Sequence, residues 1–507
     1  MKALQALLYS AVLMMVLPAC DAGFDELNTN EVQPTSVDPA FLLNRAIINC
    51  SPPGGVLIYE YGIVQQIVSP NSGVITGANY NQDNRNSTDD IWVALYPGVI
   101  RNTRDIISRV AADPDRNNLL QSARIIQAFA FMVLTDTYGD IPYFEGGKGF
   151  TEQINLPKYD SQEAIYADII KELREATAAL NPNGRKEVSE ILYGGDIAKW
   201  KKLGYSLLLR AGMRLSKVDP GRAAQITAEA FQAGVMTENA DNFVVRHDAN
   251  YQNAVGNTLN GTERNNFYLV EAFVNYLKTN NDPRLAAIAV RYVGAKSGPD
   301  QTAALASNDP TVQIGMPMGH DNASIVGVAA NLSLASFYDF SQLDRSRMGK
   351  QASSSFLVTA AQTQLLLAEA AQRGWVNINA GEAFGKGIRL HMEQLASYDA
   401  ASTVSNTAID EYLKNTTYDP AKGLQQINEQ YWVASFLNGP EVFANFRRSG
   451  YPQLTPNPFP SKDISGDFIR RLTYPNSEIS VNAANLSEAT SRMGPDNLDT
   501  RVWWDKP

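Results

Sequence analysis

DIAKWKKLGYSLLLRAGMRLSKVDPGR, residues 196–222, decides the fold. Asp196 reads as the cap of a helix whose apolar stripe runs through Trp200, Leu203, Leu207 and Ala211. Asp219-Pro220 opens the next helix, because proline at the first helical position costs no hydrogen bond. The stretch therefore predicts a pair, Asp196–Val218 with Arg222–Ala233. Helical periodicity spreads outward from it. Leu119, Ala123, Ile126, Ala130, Val133 and Thr137 share one face, and Gly139 with Pro142 ends the run. Asp160 and Glu163 read as a capping box before a stripe through Ile165, Ile169, Leu173, Ala176 and Leu180. Glu263–Lys278 predicts a further helix, and Ser355–Arg373 with a partner from about Gly381 to Ala396 predicts a second pair.

Each pair is roughly the length of a tetratricopeptide hairpin, and Trp200-x-x-Leu203-Gly204 matches the start of that repeat. No strict period is visible, so periodicity alone also admits an irregular helical bundle. Between the hairpins lie Asn-, Gly- and Ser-rich stretches, roughly 69–90, 239–266, 294–334 and 451–497. Loops of that length are uncommon unless functional or disordered, and these carry aromatics and prolines that favour ordered excursions. No linker breaks the chain. The expected fold is mainly α, with tetratricopeptide-like helical hairpins and long loop-rich excursions in a single large domain.

The N-terminus reads as an export signal. Lys2 precedes an apolar run from Ala3 to Leu17, then Leu17-Pro18-Ala19-Cys20. The run is too short for a comfortable membrane span. A cysteine after Leu-Pro-Ala resembles the lipobox of bacterial lipoproteins, with Pro18 less usual there. Residues 1–19 are thus read as a lipoprotein signal peptide, 20–507 as the mature domain, and Cys20 as the lipidated residue. An ordinary signal peptide that happens to contain a cysteine is the competing reading. Asp21, Asp25 and Glu26 resemble a sorting context for the outer face of the outer membrane, although enterobacterial sorting would read Asp21 as inner-membrane retention. With Cys20 acylated, Cys50, the second of two cysteines, has no intramolecular partner. A net charge of −10 argues against nucleic acid and anionic lipid as partners.

Signatures of chemistry are sparse. His247, His320 and His391 stand far apart in sequence, and no zinc helix, nucleophile elbow or phosphate loop is present, so no metal, cofactor or catalytic residue is assigned. Carboxylates abound, but a pair of them is too loose a requirement to identify a glycosidase. The excursions say more. Asn79-Tyr80-Asn81 with Asp83 and Arg85, and then Tyr251, Asn266 and Phe267, set rings among amides and charges. A sugar offers an apolar C–H face to a ring and a rim of hydroxyls to amides and guanidinium. These residues are the candidate ligand contacts. The competing reading for any one ring is that it packs its loop onto the helical body.

Four segments share a further resemblance: Phe24–Asn30, Thr135–Tyr143 (Thr-Asp-Thr-Tyr-Gly-Asp-Ile-Pro-Tyr), Leu366–Trp375, and Tyr431–Ala434 leading to Phe446-Arg447-Arg448-Ser449-Gly450-Tyr451-Pro452. Arg470–Pro475 and Arg501–Asp505 extend the series. With the lipobox, this ordered set is similar to the SusD/RagB family, in particular its SusD-like lipoproteins. The resemblance implies a non-catalytic, lipid-anchored nutrient-binding protein exposed on the outer membrane. It implies capture of oligosaccharides and their delivery to a SusC-like TonB-dependent transporter. The alternatives are oligopeptide capture by the same architecture and an exported glycoside hydrolase. The family's ligand contacts carry no fixed motif, so the candidate contacts above rest on loop chemistry. Most of the motif residues make sense as scaffold: Gly139 and Pro142 end a helix, and Arg447 and Arg448 sit where a helix C-terminus favours cations.

Overall fold

Short polar side chains set most of the helix starts. Asp196 accepts from the backbone N–H of Ala198 and Lys199, Asp219 from Arg222 behind Pro220, and Thr359 forms a capping box with Gln362. The computed structural model describes residues 37–71 and 74–507, within which Pro39–Pro507 form one compact unit. The signal segment, Cys20 and the Phe24–Asn30 motif lie outside the described residues. The longer helices are α1 (Pro39–Asn49), α2 (Arg101–Val110), α3 (Asn117–Tyr138), α4 (Gln162–Ala179), α5 (Ile197–Arg214) and α6 (Pro220–Ala233). They continue with α7 (Glu271–Thr279), α8 (Ser324–Asn331), α9 (Ala360–Gln372), α10 (Ala380–Gln394), α11 (Gly423–Ala434) and α12 (Gly439–Ser449).

The pairs α3/α4, α5/α6 and α9/α10 pack as hairpins; α4 also packs on α5, and α11 on α9. Their stripes meet in one core containing Trp200, Leu207, Ile226, Leu365 and Ile388. Gly204 has a spatial reason: a Cβ there would meet Thr177 Oγ1 at 2.0 Å, so its absence lets α5 approach α4. The mainly helical, tetratricopeptide-like expectation therefore holds.

Three local expectations change. The cap of α4 is Ser161, which accepts from Ala164 N, while the Asp160 carboxylate instead holds the Tyr143 and Phe144 amides at 3.1 and 2.9 Å. Ser355–Val358 is a strand antiparallel to Phe243–Val245, and its helix starts only at Ala360. The four residues are all buried, and a short buried run carries no periodicity to separate strand from helix. Glu263–Lys278 is helical only from Glu271, because Tyr268–Leu269 pairs with Ile67–Val68. The later excursions carry structure of their own: Ala306–Ser307 pairs with Ala289–Tyr292, which also pairs with Gln342–Leu343, and two helices, Asn476–Val481 and Ala483–Met493, lie in the last one.

Beneath the hairpins the motif residues join in a buried polar network. Arg214 binds Asp136 Oδ2 at 3.0 Å and Glu441 Oε2 at 2.6 Å, and Arg210 reaches the same Glu441 oxygen at 3.1 Å. Tyr166 and Trp504 donate to Asp136 Oδ1, and Tyr431 donates to Glu441 Oε1. Arg448 grips Glu369 with two bonds of 2.7 and 2.6 Å, and Arg447 donates to the carbonyls of Asp136 and Arg470. Both arginines do lie in the last turn of α12, ahead of Gly450 in the left-handed region at φ 79°. Their principal partners, however, are these buried groups. Burial alone would raise the Glu369 carboxyl; the paired Arg448 overcomes it and holds the group down at about 2.

Candidate functional site

The Tyr80 loop is fastened on both sides. The Asn79 amide donates to the carbonyls of Ser69 and His320 at 2.9 and 2.7 Å, and its Oδ1 accepts from Gly319 N at 2.7 Å. Asn457 donates to the carbonyls of Ala78 and Asn79, and Asn81, buried at φ 50°, accepts from Asp463 N at 2.9 Å through its carbonyl. Asp83 accepts from Thr473 Oγ1 and lies 3.3 Å from Arg85, which also binds Asp496 and the Tyr474 carbonyl. Asn79, Asn81, Asp83 and Arg85 thus tie three excursions together. Tyr80 is held at the surface by that fastening. Its half-buried ring lies flat on Phe459, centroids 3.5 Å apart and planes within 5°. Partial burial and the neighbouring Asp321 carboxylate raise its phenol above the ordinary value.

The other candidates lie elsewhere. Tyr251 is 58% exposed on a turn closed by Asp248, and its carbonyl meets His247 Nδ1 at 2.9 Å. No hydrogen bond or ring contact among the described residues joins it to the Tyr80 loop. Asn266 donates to Glu263 Oε2, which also accepts from Asn71. Phe267 is buried in the core, so its ring packs the excursion onto the body.

Beside the Tyr80–Phe459 ledge opens a cavity of about 620 Å³ between α7, α11 and residues 452–458. Segment 316–319 fixes its edge: Glu271 N donates to Met316 O, Met316 N to Leu269 O, and Gly319 N to Asn79. Pro317 and Met318 line the cavity directly before Gly319, and Pro458 lines it directly before Phe459. The Tyr80 loop is tied to both of these lining segments, through Asn79 to Gly319 and through Asn457 to the Asn79 carbonyl. Trp432 forms part of the lining, its indole N–H held by the Val64 carbonyl at 2.9 Å and its ring edge-on to Phe273 and Tyr276. Gln65, at φ 54°, donates to the Thr455 carbonyl at 2.6 Å and so joins the cavity to the proline-rich strap. Asn275, Gln425, Glu271 and Glu429 supply amides and carboxylates. Burial raises the Glu429 carboxyl above its ordinary value, while hydrogen bonds from Gln425 and Tyr276 oppose that rise.

This combination suits a polyhydroxylated ligand. Fixed rings and proline faces offer apolar area at small entropic cost, and amides and carboxylates bind hydroxyls from the side. Sequence reading missed the cavity. Asn275, Gln425 and Glu429 are polar residues on amphipathic helices, which read as an ordinary solvated face. Only the prolines of 452–460 marked one wall as an excursion.

The family profile described as starch-binding and associating with the outer membrane, SusD-like, matches residues 31–475. Among solved structures, one named a chitin-binding protein is 30% identical, with a TM-score of 0.82, and covers 93% of this chain and 100% of its own. A Bacteroidetes AC2a SusD-like structure is 27% identical, with a TM-score of 0.80 and coverage of 93% and 100%. A chitin-binding SusD homologue from Flavobacterium johnsoniae is 24% identical, with a TM-score of 0.73 and coverage of 92% and 98%; it bears on the fold alone. A search of curated proteins finds no match to the sequence.

Proposed function

The chain belongs to the SusD-like family of carbohydrate-binding, non-enzymatic proteins that associate with the outer membrane, and on that premise we propose that it captures oligosaccharide in the cavity between α7 and α11. The observation that carries this reading is the cavity's lining, in which Tyr276 and the strap prolines stand among amides and carboxylates; the Tyr80–Phe459 ledge, next in sequence to the lining residue Pro458, supplies a second ring site along a chain. Tyr276, backed by the buried Trp432, and the prolines of the strap meet the apolar faces of the sugar, and Asn275, Gln425 and Gln65 fix its hydroxyls. The chitin-binding name of the 30%-identical structure makes β-linked N-acetylglucosamine oligomers the first ligands to try, with starch oligomers second.

Delivery is the second part of the proposal. Acyl chains on Cys20 hold the protein at the cell surface, and a TonB-dependent transporter receives the captured glycan. The outer-membrane association of the family supports this, and among the described residues no helix is long and apolar enough to cross a membrane. Changing Cys20 to Ser moves the protein out of the membrane fraction on this account; unaltered membrane retention contradicts it.

The test of capture is calorimetry of the soluble body, begun after Cys20, against chito-oligosaccharides, malto-oligosaccharides and peptides, with product analysis of the same samples. Saturable binding with the oligosaccharide recovered intact is the expected result. Binding of peptides alone, or shortened oligosaccharide in the samples, overturns the proposal.

A further inference from the structure

We propose that this cavity selects by charge, favouring an oligosaccharide that bears free amino groups over its neutral counterpart and rejecting an acidic one. The inference rests on the reading that the cavity binds glycan, and it adds the class of glycan. Its lining includes two carboxylates, Glu271 and Glu429, and no lysine, arginine or histidine. Several buried carboxylates elsewhere are answered by guanidinium, Glu369 by Arg448, Asp136 by Arg214, Asp282 by Arg284 and Asp339 by Arg291, whereas Glu190 is held by backbone amides and the Trp200 indole and Glu60 has no ion pair among the described residues. Among the described residues, neither Glu271 nor Glu429 forms an ion pair. Glu429 is half buried on α11 and has Gln425 and Tyr276 as hydrogen-bond donors; Glu271 is exposed at the first turn of α7.

The imbalance has a direct consequence. A partly desolvated carboxylate without a countercharge gains most from a ligand that brings one, and a charge-assisted hydrogen bond is stronger than a neutral one. The half-buried ring of Tyr276 in the same lining adds its attraction for a cation. A uronic acid meets the opposite situation, like charge in a partly enclosed space. A glucosamine unit presents its ammonium on the same pyranose ring but lacks the N-acetyl group, so the salt dependence and the Glu→Gln variants isolate the contribution of charge.

The experiment compares, at low ionic strength and mildly acidic pH, a chito-oligosaccharide with its fully deacetylated counterpart, an oligogalacturonide and a lysine-containing peptide. The expected result is roughly tenfold tighter binding of the deacetylated oligomer than of the acetylated one, shrinking with added salt, and no binding of the oligogalacturonide. In Glu429→Gln and, separately, Glu271→Gln, the ratio of the two affinities, both measured on the same variant, falls towards one. Glu271 is exposed, so its variant carries the test should Glu429→Gln fold poorly. Equal binding of both oligomers, binding of the oligogalacturonide, or a preference unchanged in both variants overturns charge selection and leaves glycan capture standing. Tighter binding of the peptide than of either oligomer overturns the assignment to a glycan. Failure of all oligosaccharides to bind overturns the site reading itself.

Discussion

Two regions of this molecule are rich in charge and hydrogen-bonding groups, and they are built in opposite ways. In the network under α5, α9 and α12, carboxylates meet arginines: Glu369 lies between Arg448 and Arg373, and Asp136 and Glu441 flank Arg214. At the cavity between α7 and α11, Glu271 and Glu429 have no cation beside them. A buried charge is tolerated when it is paired and hydrogen-bonded, so the first region has spent its polarity on holding the fold. The second keeps polarity available for something that is not protein. The motif residues behind the family resemblance belong mostly to the first region, and on the proposed reading those that choose a ligand belong to the second.

The largest effect expected from breaking this comparison is in the network. Arg448→Ala leaves Glu369 buried without its bidentate partner and should cost about 3–5 kcal/mol of stability in urea unfolding. Next comes acid. The Glu369 carboxyl lies at about 2 in the folded protein against an ordinary 4.5, so its contribution of about 3 kcal/mol is complete above 4.5 and is lost as pH falls from there towards 2. Between pH 7 and 4.5 two buried groups oppose each other. Burial, and then Arg284 beside it, push His391 well below its ordinary 6.5, so its protons bind the unfolded chain first, whereas burial raises Glu60 to about 7, so its proton binds the folded chain first. Stability measured against pH should show the Glu369 limb, and Arg448→Ala should flatten it.

At the cavity the effects fall on affinity. Tyr276→Ala should weaken oligosaccharide binding by about 2 kcal/mol, close to thirtyfold, in calorimetry on protein whose folding is checked by its thermal transition. Tyr80→Ala, which also strips the stacked partner from Phe459, should cost about 1 kcal/mol. Tyr251→Ala is the smallest case. Its turn stands against His247 rather than the ledge, and affinity should stay within about twofold of the parent. A Tyr251 effect as large as that of Tyr276 would move the site away from α7 and α11.

The hairpins were legible because their signals are local. Asp196, Asp219 and Thr359 cap helices through side chains two or three residues away from the amides they bind, and the stripes repeat within one element. Ser355–Val358 was misread because a four-residue buried run looks alike in strand and helix, and its partner lies more than a hundred residues earlier. The candidate site was legible only at one edge. Tyr80 was visible because a ring amid asparagines in a loop is unusual, but the roles of its neighbours depend on Asn457, Asp463 and Thr473, nearly four hundred residues away. The cavity was hidden for the same reason. Glu271 and Glu429 become conspicuous only when two helices and a proline strap enclose them and no arginine joins them.

The most direct test is a crystal structure of the protein with a chito-oligosaccharide. The expected result is sugar rings in the cavity against Tyr276 and the proline strap, with the chain running towards Tyr80 and Phe459. Sugar bound at another face, with this cavity empty in the same crystal, would contradict it.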